Sequence, residues 1–202
     1  LSAFEAFLKT AQTNPFGSQV RLEMVNPGNQ KLGTYGFIKG AKLFFGGCVK
    51  KGGYDIEGFG YAFEKAVLFA TAQGLGTCWL GGTFKRGAVT ELLKPEGEYL
   101  PAISPIGYAA EKKSLTEKMV ASGAGARTRK RYAELFFDRN FFTPFVLEDE
   151  DGTLKTCLEM VRIGPSASNR QPWRVVRQAK ALHFYMMHEK RYAGNTMYGF
   201  CM

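Results

Sequence analysis

The chain has 202 residues, 45% apolar, 14% aromatic and 22% charged, which is enough apolar surface for a sizeable core and too much for a disordered tail. Its 27 Lys and Arg against 18 Asp and Glu give a formal net charge of +9, so the surface is basic. No apolar run reaches the about eighteen residues of a membrane helix, and the opening lacks the basic-then-apolar profile of a secretory signal, so neither is expected.

Residues 1–13 read as a helix that ends before Asn14-Pro15, because a proline drives the residue ahead of it out of helical geometry. Gln19 to Val25 alternates apolar and polar and reads as a strand, and Asn26 to Asn29 is turn chemistry. Ala41 to Val49 is a short apolar strand. Residues 58–73 form an amphipathic helix with Phe59, Ala62, Phe63, Ala66, Val67 and Ala70 on one face and Gly74 placed to stop it. A glycine-rich segment, 74–84, leads to a short helix at about 86–94 and a strand through Pro101 to Gly107. Residues 110–131 hold seven Lys or Arg against Glu111 and Glu117 and read as a basic connector. Beyond it, Arg129 to Phe137 looks helical, Glu148 to Gly152 is an acidic turn, and Thr153 to Ile163 is a helix stopped by Gly164-Pro165. Trp173 to Arg177 and Ala181 to Tyr185 read as strands, and the tail to Met202 shows no helix.

The two halves echo one another. A helix, then Asn14-Pro-Phe-Gly-Ser-Gln-Val-Arg21 and a strand, recurs as a helix, then Gly164-Pro-Ser-Ala-Ser-Asn-Arg-Gln-Pro-Trp-Arg174 and a strand. Degenerate duplication and coincidence are both compatible with so thin an identity. The expected organisation is 1–110 as a first half, 111–128 as connector and 129–202 as a second, shorter half.

Four scattered cysteines (Cys48, Cys78, Cys157, Cys201) without a Cys-x-x-Cys pair argue for a reducing, cytoplasmic setting. His183 and His188 are the only histidines, and no ligand set is spaced for zinc, so no metal is expected. Gly74-Leu-Gly76 lacks the third glycine of a dinucleotide fingerprint, since Trp79 stands there, and no helix follows at once. A helix cap and a bend into a buried strand is the plainer reading, yet Leu80-Gly81-Gly82 adds backbone without side chains, on which a flat ligand can lie. Gly164-Pro-Ser-Ala-Ser168 departs from a Gly-x-Ser-x-Gly elbow, and no acid and histidine stand in register for a hydrolase. Pro165 to Trp173 nonetheless concentrates two hydroxyls, two amides and a guanidinium, which suits a polar ligand, although such residues also simply cap turns.

Pro165-Ser-Ala-Ser-Asn-Arg-Gln-Pro-Trp173 resembles the Pro-Ser-x-x-Asn-x-Gln-Pro-Trp signature of the FMN-dependent nitroreductases. Gly74-Leu-Gly-Thr-Cys-Trp-Leu-Gly-Gly82 resembles that family's Gly-Leu-Gly-Thr-x-Trp-Ile-Gly-Gly marker, and Pro105-Ile-Gly-Tyr108 its Leu-Gly-Tyr. The order of the motifs is inverted relative to ordinary members, which matches a single-chain, pseudo-dimeric subfamily. The resemblance implies an α+β, nitroreductase-like fold: a mostly antiparallel sheet flanked by helices in each half, with the two degenerate halves packed as a pseudo-dimer. It implies that Leu80, Gly81 and Gly82 line the flavin ring, with a backbone N–H reaching its edge. Pro165, Ser166, Ala167, Ser168, Asn169 and Gln171 would reach the ring edge or the ribityl phosphate, and Arg129, Lys130 and Arg131, with Arg127, would hold the phosphate. The family's usual opening segment of Arg-x-Ser-x-Arg type is not found at Leu1.

The activity implied is an FMN-dependent NAD(P)H oxidoreductase, ping-pong, passing hydride through flavin N5 to a nitroaromatic, quinone or similar flat acceptor. No protein residue is expected to be catalytic in its own right, because the cofactor carries the chemistry. A non-catalytic flavin binder on the same fold is the alternative. Nucleic-acid binding is motivated by the +9 charge, but the basic residues outside the connector are dispersed and no DNA-binding pattern appears, so no nucleic acid is expected. The partners expected are a small-molecule electron acceptor and no membrane, with the chain a monomer acting as an internal pseudo-dimer, or a homodimer.

Overall fold

Phe4, Leu8 and Ala11 recur at helical spacing, and in a computed structural model of the chain they form the buried face of α1 (Ser2–Ala11). The structure describes residues 1–30, 32, 34, 38–110, 128–146 and 152–187. They fall into two compact units, Leu1–Glu117 and Lys118–Met202.

In unit 1, α1 is followed by β1 (Val20–Val25), β2 (Leu43–Lys50), α2 (Asp55–Ala72), β3 (Gly76–Thr77), α3 (Arg86–Leu93) and β4 (Glu98–Gly107). The sheet has the order β1-β2-β4-β3, and every pair is antiparallel. Phe4, Leu8, Leu22, Phe45, Phe59 and Phe63 belong to one core cluster, which holds α1 and α2 on one face of the sheet. Phe44, Cys48, Val89, Leu93 and Ile103 form a second cluster with α3 on the other. Burial on both faces explains why β2 reads as a continuous apolar run. Each fully buried Phe contributes roughly 1.5–3 kcal/mol relative to exposure.

Helix α2 begins three residues ahead of the expected start. Its apolar face starts at Phe59, but Asp55 accepts the N–H of Gly52 (3.0 Å) and opens the helix earlier. Gly74, at φ +73°, takes the left-handed turn that ends it. Gly47 is required by close approach, since a Cβ there would stand 2.5 Å from Leu22 Cδ2 and 2.6 Å from Phe59 Cε2. Arg21 ties the sheet across its width. Its Nε and Nη2 donate to the Glu98 carboxylate on β4 (3.0 and 2.7 Å), Nη2 also to the Leu93 carbonyl (3.0 Å), and Nη1 to Glu23 (2.7 Å).

Unit 2 contains α4 (Tyr132–Leu135), β5 (Phe136–Asp138), α5 (Gly152–Ile163), a 3-10 turn (Ala167–Asn169), β6 (Trp173–Gln178) and β7 (Ala181–Met186). Its sheet has the order β5-β6-β7, with β5 parallel and β7 antiparallel to β6. Leu135, Phe136, Phe145, Leu158 and Val175 make its core.

Several expectations are corrected. The helix expected over 129–137 is a single turn, and at Phe136 the chain becomes extended (φ −119°, ψ 131°) because Phe136 and Asp138 pair with β6. Cys78, Phe141, Phe142 and His183 are all exposed. The acidic turn before Gly152, the tail from His188 and all of the 111–128 connector except Thr128 lie outside the described residues. The architecture is α+β, with helices against mostly antiparallel sheet.

Candidate functional site

The two motifs lie in different units, so each is built up by itself. In unit 1, β3 leads out of α2 into Cys78-Trp79-Leu80-Gly81-Gly82. Cys78 N–H donates to the hydroxyl of Ser104 (2.9 Å), itself fully buried on β4, and Trp79 Nε1 donates to Glu64 on α2 (2.8 Å). Leu80 is buried in the core, and its N–H and C=O are both taken by Ile103 (2.9 and 3.0 Å). A ligand therefore cannot use the Leu80 amide. The N–H groups of Gly81 and Gly82 differ, because neither meets an acceptor among the described residues. Both glycines are half-buried. Two adjacent amide donors without a protein acceptor on side-chain-free backbone are the chemistry that an electron-rich ring edge needs.

Arg86 is a contributor that the motif reading misses. Its Nη2 donates to the Gly81 carbonyl (2.6 Å), its Nη1 to the Leu100 carbonyl, and its guanidinium lies 5.0 Å from the Phe84 ring centre. By drawing the Gly81 carbonyl toward itself it fixes the peptide planes of the segment. A signal existed in the sequence. Lys85 and Arg86 start a helix with no acid in its first turn, where the helix dipole disfavours cations, so a task other than helix stability is implied.

In unit 2, Pro165 follows α5 and is exposed, and Ser166 to Gln171 make a tight turn. Ser168, Asn169 and Gln171 have φ values of 48°, 53° and 49°. Left-handed backbone costs about 1–2 kcal/mol per non-glycine residue, so something must hold it. Gln171 does so. It is 3% exposed, its Oε1 accepts the Lys130 N–H (2.7 Å), and its Nε2 donates to the Asn169 carbonyl and Oδ1 (both 3.2 Å). Its own N–H donates to Ser166 Oγ (2.9 Å), and Ala167 accepts the Arg170 N–H (3.1 Å). Asn169 Nδ2 donates to the Thr128 carbonyl (3.0 Å).

The basic segment completes this network. Arg129 donates through Nε and Nη2 to the Ile163 carbonyl at the end of α5 (3.2 and 3.1 Å), and through Nη1 to Asn169 Oδ1 (3.2 Å). Lys130 joins through its backbone. Arg131 turns elsewhere: its side chain, 86% exposed, meets Glu134 (3.2 Å), and the Arg131 N–H and side chain hold the Glu134 carboxyl below its usual range. Of the residues expected at the site, the structure thus brings together Ser166, Ala167, Asn169 and Gln171 with Arg129 and the Lys130 backbone. Pro165 and Ser168 stand on the turn's exposed side, and Arg131 lies apart. The described part of the arginine-rich segment 127–131 is bonded to the motif through Arg129 and the Lys130 backbone. Among the described residues no group of three His, Cys, Asp or Glu could hold a metal, and no helix is long and apolar enough to cross a membrane.

A putative nitroreductase from Thermotoga maritima MSB8 superposes with a TM-score of 0.53 at 20% identity, over 90% of this chain and 66% of that one. This chain therefore spans just under two thirds of that protein's length, and at this identity the likeness shows the fold alone. An FMN-dependent nitroreductase from Clostridium difficile R20291 (TM-score 0.45, 20% identity, 56% of this chain and 79% of that) is also similar. So is an oxidized iodotyrosine deiodinase bound to FMN and 3-iodo-L-tyrosine (TM-score 0.45, 20% identity, 56% and 82%). A search of curated proteins found no match. The family model described as "Putative TM nitroreductase" matches residues 1–197, and the chain belongs to that nitroreductase family.

Proposed function

We propose that this protein is an FMN-dependent oxidoreductase that takes electrons from NADH or NADPH and passes them to a nitroaromatic, quinone or similarly flat acceptor. The observation that carries the reading is the pair of Gly81 and Gly82 N–H groups, half-buried and without an acceptor among the described residues. When bound, FMN would supply the chemistry of hydride acceptance and delivery in alternating half-reactions. Gly81 and Gly82 would donate to the ring edge, and Leu80 would pack beneath it as apolar floor. Arg86, anchored on Leu100, would keep the two amides aimed. Pro165, Ser166, Ala167, Ser168, Asn169 and Gln171 would meet the ring edge or ribityl phosphate, with Arg129, Lys130 and Arg131 supplying positive charge. In this reading the units are degenerate copies acting as a pseudo-dimer in the cytoplasm, as one chain or as a homodimer.

The test is the visible spectrum of the protein after mixing with FMN and desalting. Retained flavin bands that bleach on adding NADPH or NADH are the expected result, and Gly82→Val should abolish retention. A colourless protein with no thermal shift in excess FMN would overturn the reading. Retained colour that neither nucleotide bleaches would make the protein a flavin binder without this activity.

A further inference from the structure

Arg21 and Arg162 show how this chain holds a carboxylate. Each turns the Nε–Nη2 edge of its guanidinium on one acid, Arg21 on Glu98 (3.0 and 2.7 Å) and Arg162 on Glu159 (2.7 Å from each nitrogen). That edge presents two parallel N–H groups, the geometry that carboxylate and phosphate oxygens match. Arg131, Arg139 and Arg177 each meet an acid through Nε as well.

Arg174 does not. It stands at the start of β6, directly after the strained turn of unit 2, and is half-buried. Its Nη1 donates back to the carbonyls of Gln171 and Trp173 (3.1 and 2.6 Å), which ties the head group to the turn. The Nε–Nη2 edge meets only the thioether of Met187, 3.8 Å from Nη2, and sulfur is a weak acceptor. Among the described residues no carboxylate pairs with Arg174, and Glu134 acts on it through charge alone. Burial lowers its pKa, whereas acid partners raise those of Arg21 and Arg162. A guanidinium drawn partly out of water carries a desolvation cost that two neutral carbonyls offset only in part. Tyr185, opposite Arg174 in the register, and Met187 are both exposed, so solvent reaches this corner of the sheet.

We propose that the Nε–Nη2 edge of Arg174 is the seat of one oxyanion, a phosphate or carboxylate group of a small ligand held at the 166–171 turn. Nη1 already fixes the guanidinium plane against the turn, so little side-chain freedom is lost when the anion binds. The anion seat itself stands without flavin chemistry, but which ligand carries the group rests on the function proposed above. The phosphate of FMN is one source, and an acidic substituent on the flat acceptor is the other.

Inorganic phosphate is the probe, titrated into the full chain at constant ionic strength with chloride as the control. The Arg174 Nε–H resonance should shift saturably in proton–nitrogen correlation spectra, and Arg174→Met should weaken phosphate binding by about tenfold or more. The first readout needs no variant, so it stands even where Arg174→Met loosens the turn. With FMN phosphate as the source, Arg174→Met weakens FMN binding and leaves riboflavin binding unchanged. With the acceptor as the source, it raises KM for p-nitrobenzoate and leaves that for nitrobenzene unchanged. A colourless protein in which phosphate still shifts Arg174 would sink the flavin reading and leave the anion seat standing. An Arg174 Nε–H that phosphate does not move, or equal phosphate affinity in Arg174→Met, would overturn the proposal. So would loss of phosphate binding in a flavin-retaining protein with both ligand pairs unaffected, since the anion would then be adventitious only.

Discussion

The two helix-to-strand turns solve one geometric problem in different ways. In unit 1, Pro15 precedes Arg21 by six residues, and one side chain does most of the work. Asn14 Oδ1 accepts the N–H groups of Phe16 and Ser18 (3.1 and 3.3 Å), Nδ2 donates to Gln12 and Ser18 carbonyls (3.1 and 2.9 Å), and the left-handed step falls on Gly17. In unit 2, Pro165 precedes Arg174 by nine residues, and the left-handed steps fall on Ser168, Asn169 and Gln171. A glycine makes such a step at little steric cost, whereas Ser, Asn and Gln require a buried polar network to hold it. The first turn is a local cap, and the second is a strained structure maintained from outside by Arg129 and Lys130. Strain of that kind is kept where side chains must be presented to something, which is why the second turn is the candidate site.

Removing either support should sharpen the contrast. Gln171→Leu takes away the acceptor of the Lys130 N–H and one donor to the Asn169 carbonyl and Oδ1, in a half-buried place. It should cost about 2–3 kcal/mol in urea unfolding and lower the protection of Asn169 and Arg170 amides. Asn14→Ala undoes a single exposed-side cap and should cost about 1 kcal/mol, with no effect on unit 2 amides. Comparable losses from the two changes would break the comparison.

Smaller effects come from around the second turn. Glu159 receives both Nε and Nη2 of Arg162, whose Nη1 reaches the Lys130 carbonyl. The hydrogen bond from Arg162 holds the Glu159 carboxyl below its usual 4.5. Its stabilisation is therefore present above pH 4.5 and is lost as pH falls through the lowered value. For a half-buried pair at the surface, Glu159→Gln should cost about 0.5 kcal/mol at pH 7, vanishing in acid. Last, Trp173 Nε1 is buried and has no hydrogen-bond partner among the described residues. Trp173→Phe removes that donor and should leave the melting temperature unchanged or slightly raised, because the desolvation cost of the indole N–H offsets the apolar area lost.

How much of this was legible varied with the range of the interactions involved. Elements set by their own periodicity, namely α1, α2, α5, β1 and the β6–β7 hairpin, stand within a few residues of where the alternation puts them. Strand β5 was hidden because Leu135-Phe136-Phe137 suits a helix face as well as a strand, and its extension comes from pairing with residues about forty positions on. The motif residues of the site were legible through their resemblance to a family signature. Their support was not: nothing in Gln171 announces burial, and the Arg129–Asn169 bond joins segments forty residues apart. Arg86 was visible only as a cation at the wrong end of a helix.

The reach of Arg21 has a consequence for how unit 1 comes apart. An edge strand held only by its ladder would fray from the sheet at low free energy. A guanidinium that grips β4 and the end of α3 at once makes the loss of β1 coincide with the loss of its neighbours. Hydrogen exchange of the inward amides of Arg21 and Glu23 should then proceed at the rate of global opening, whereas Arg21→Met should release them as a separate, earlier-opening foldon. The outermost strand of the sheet is in this sense one of its most central.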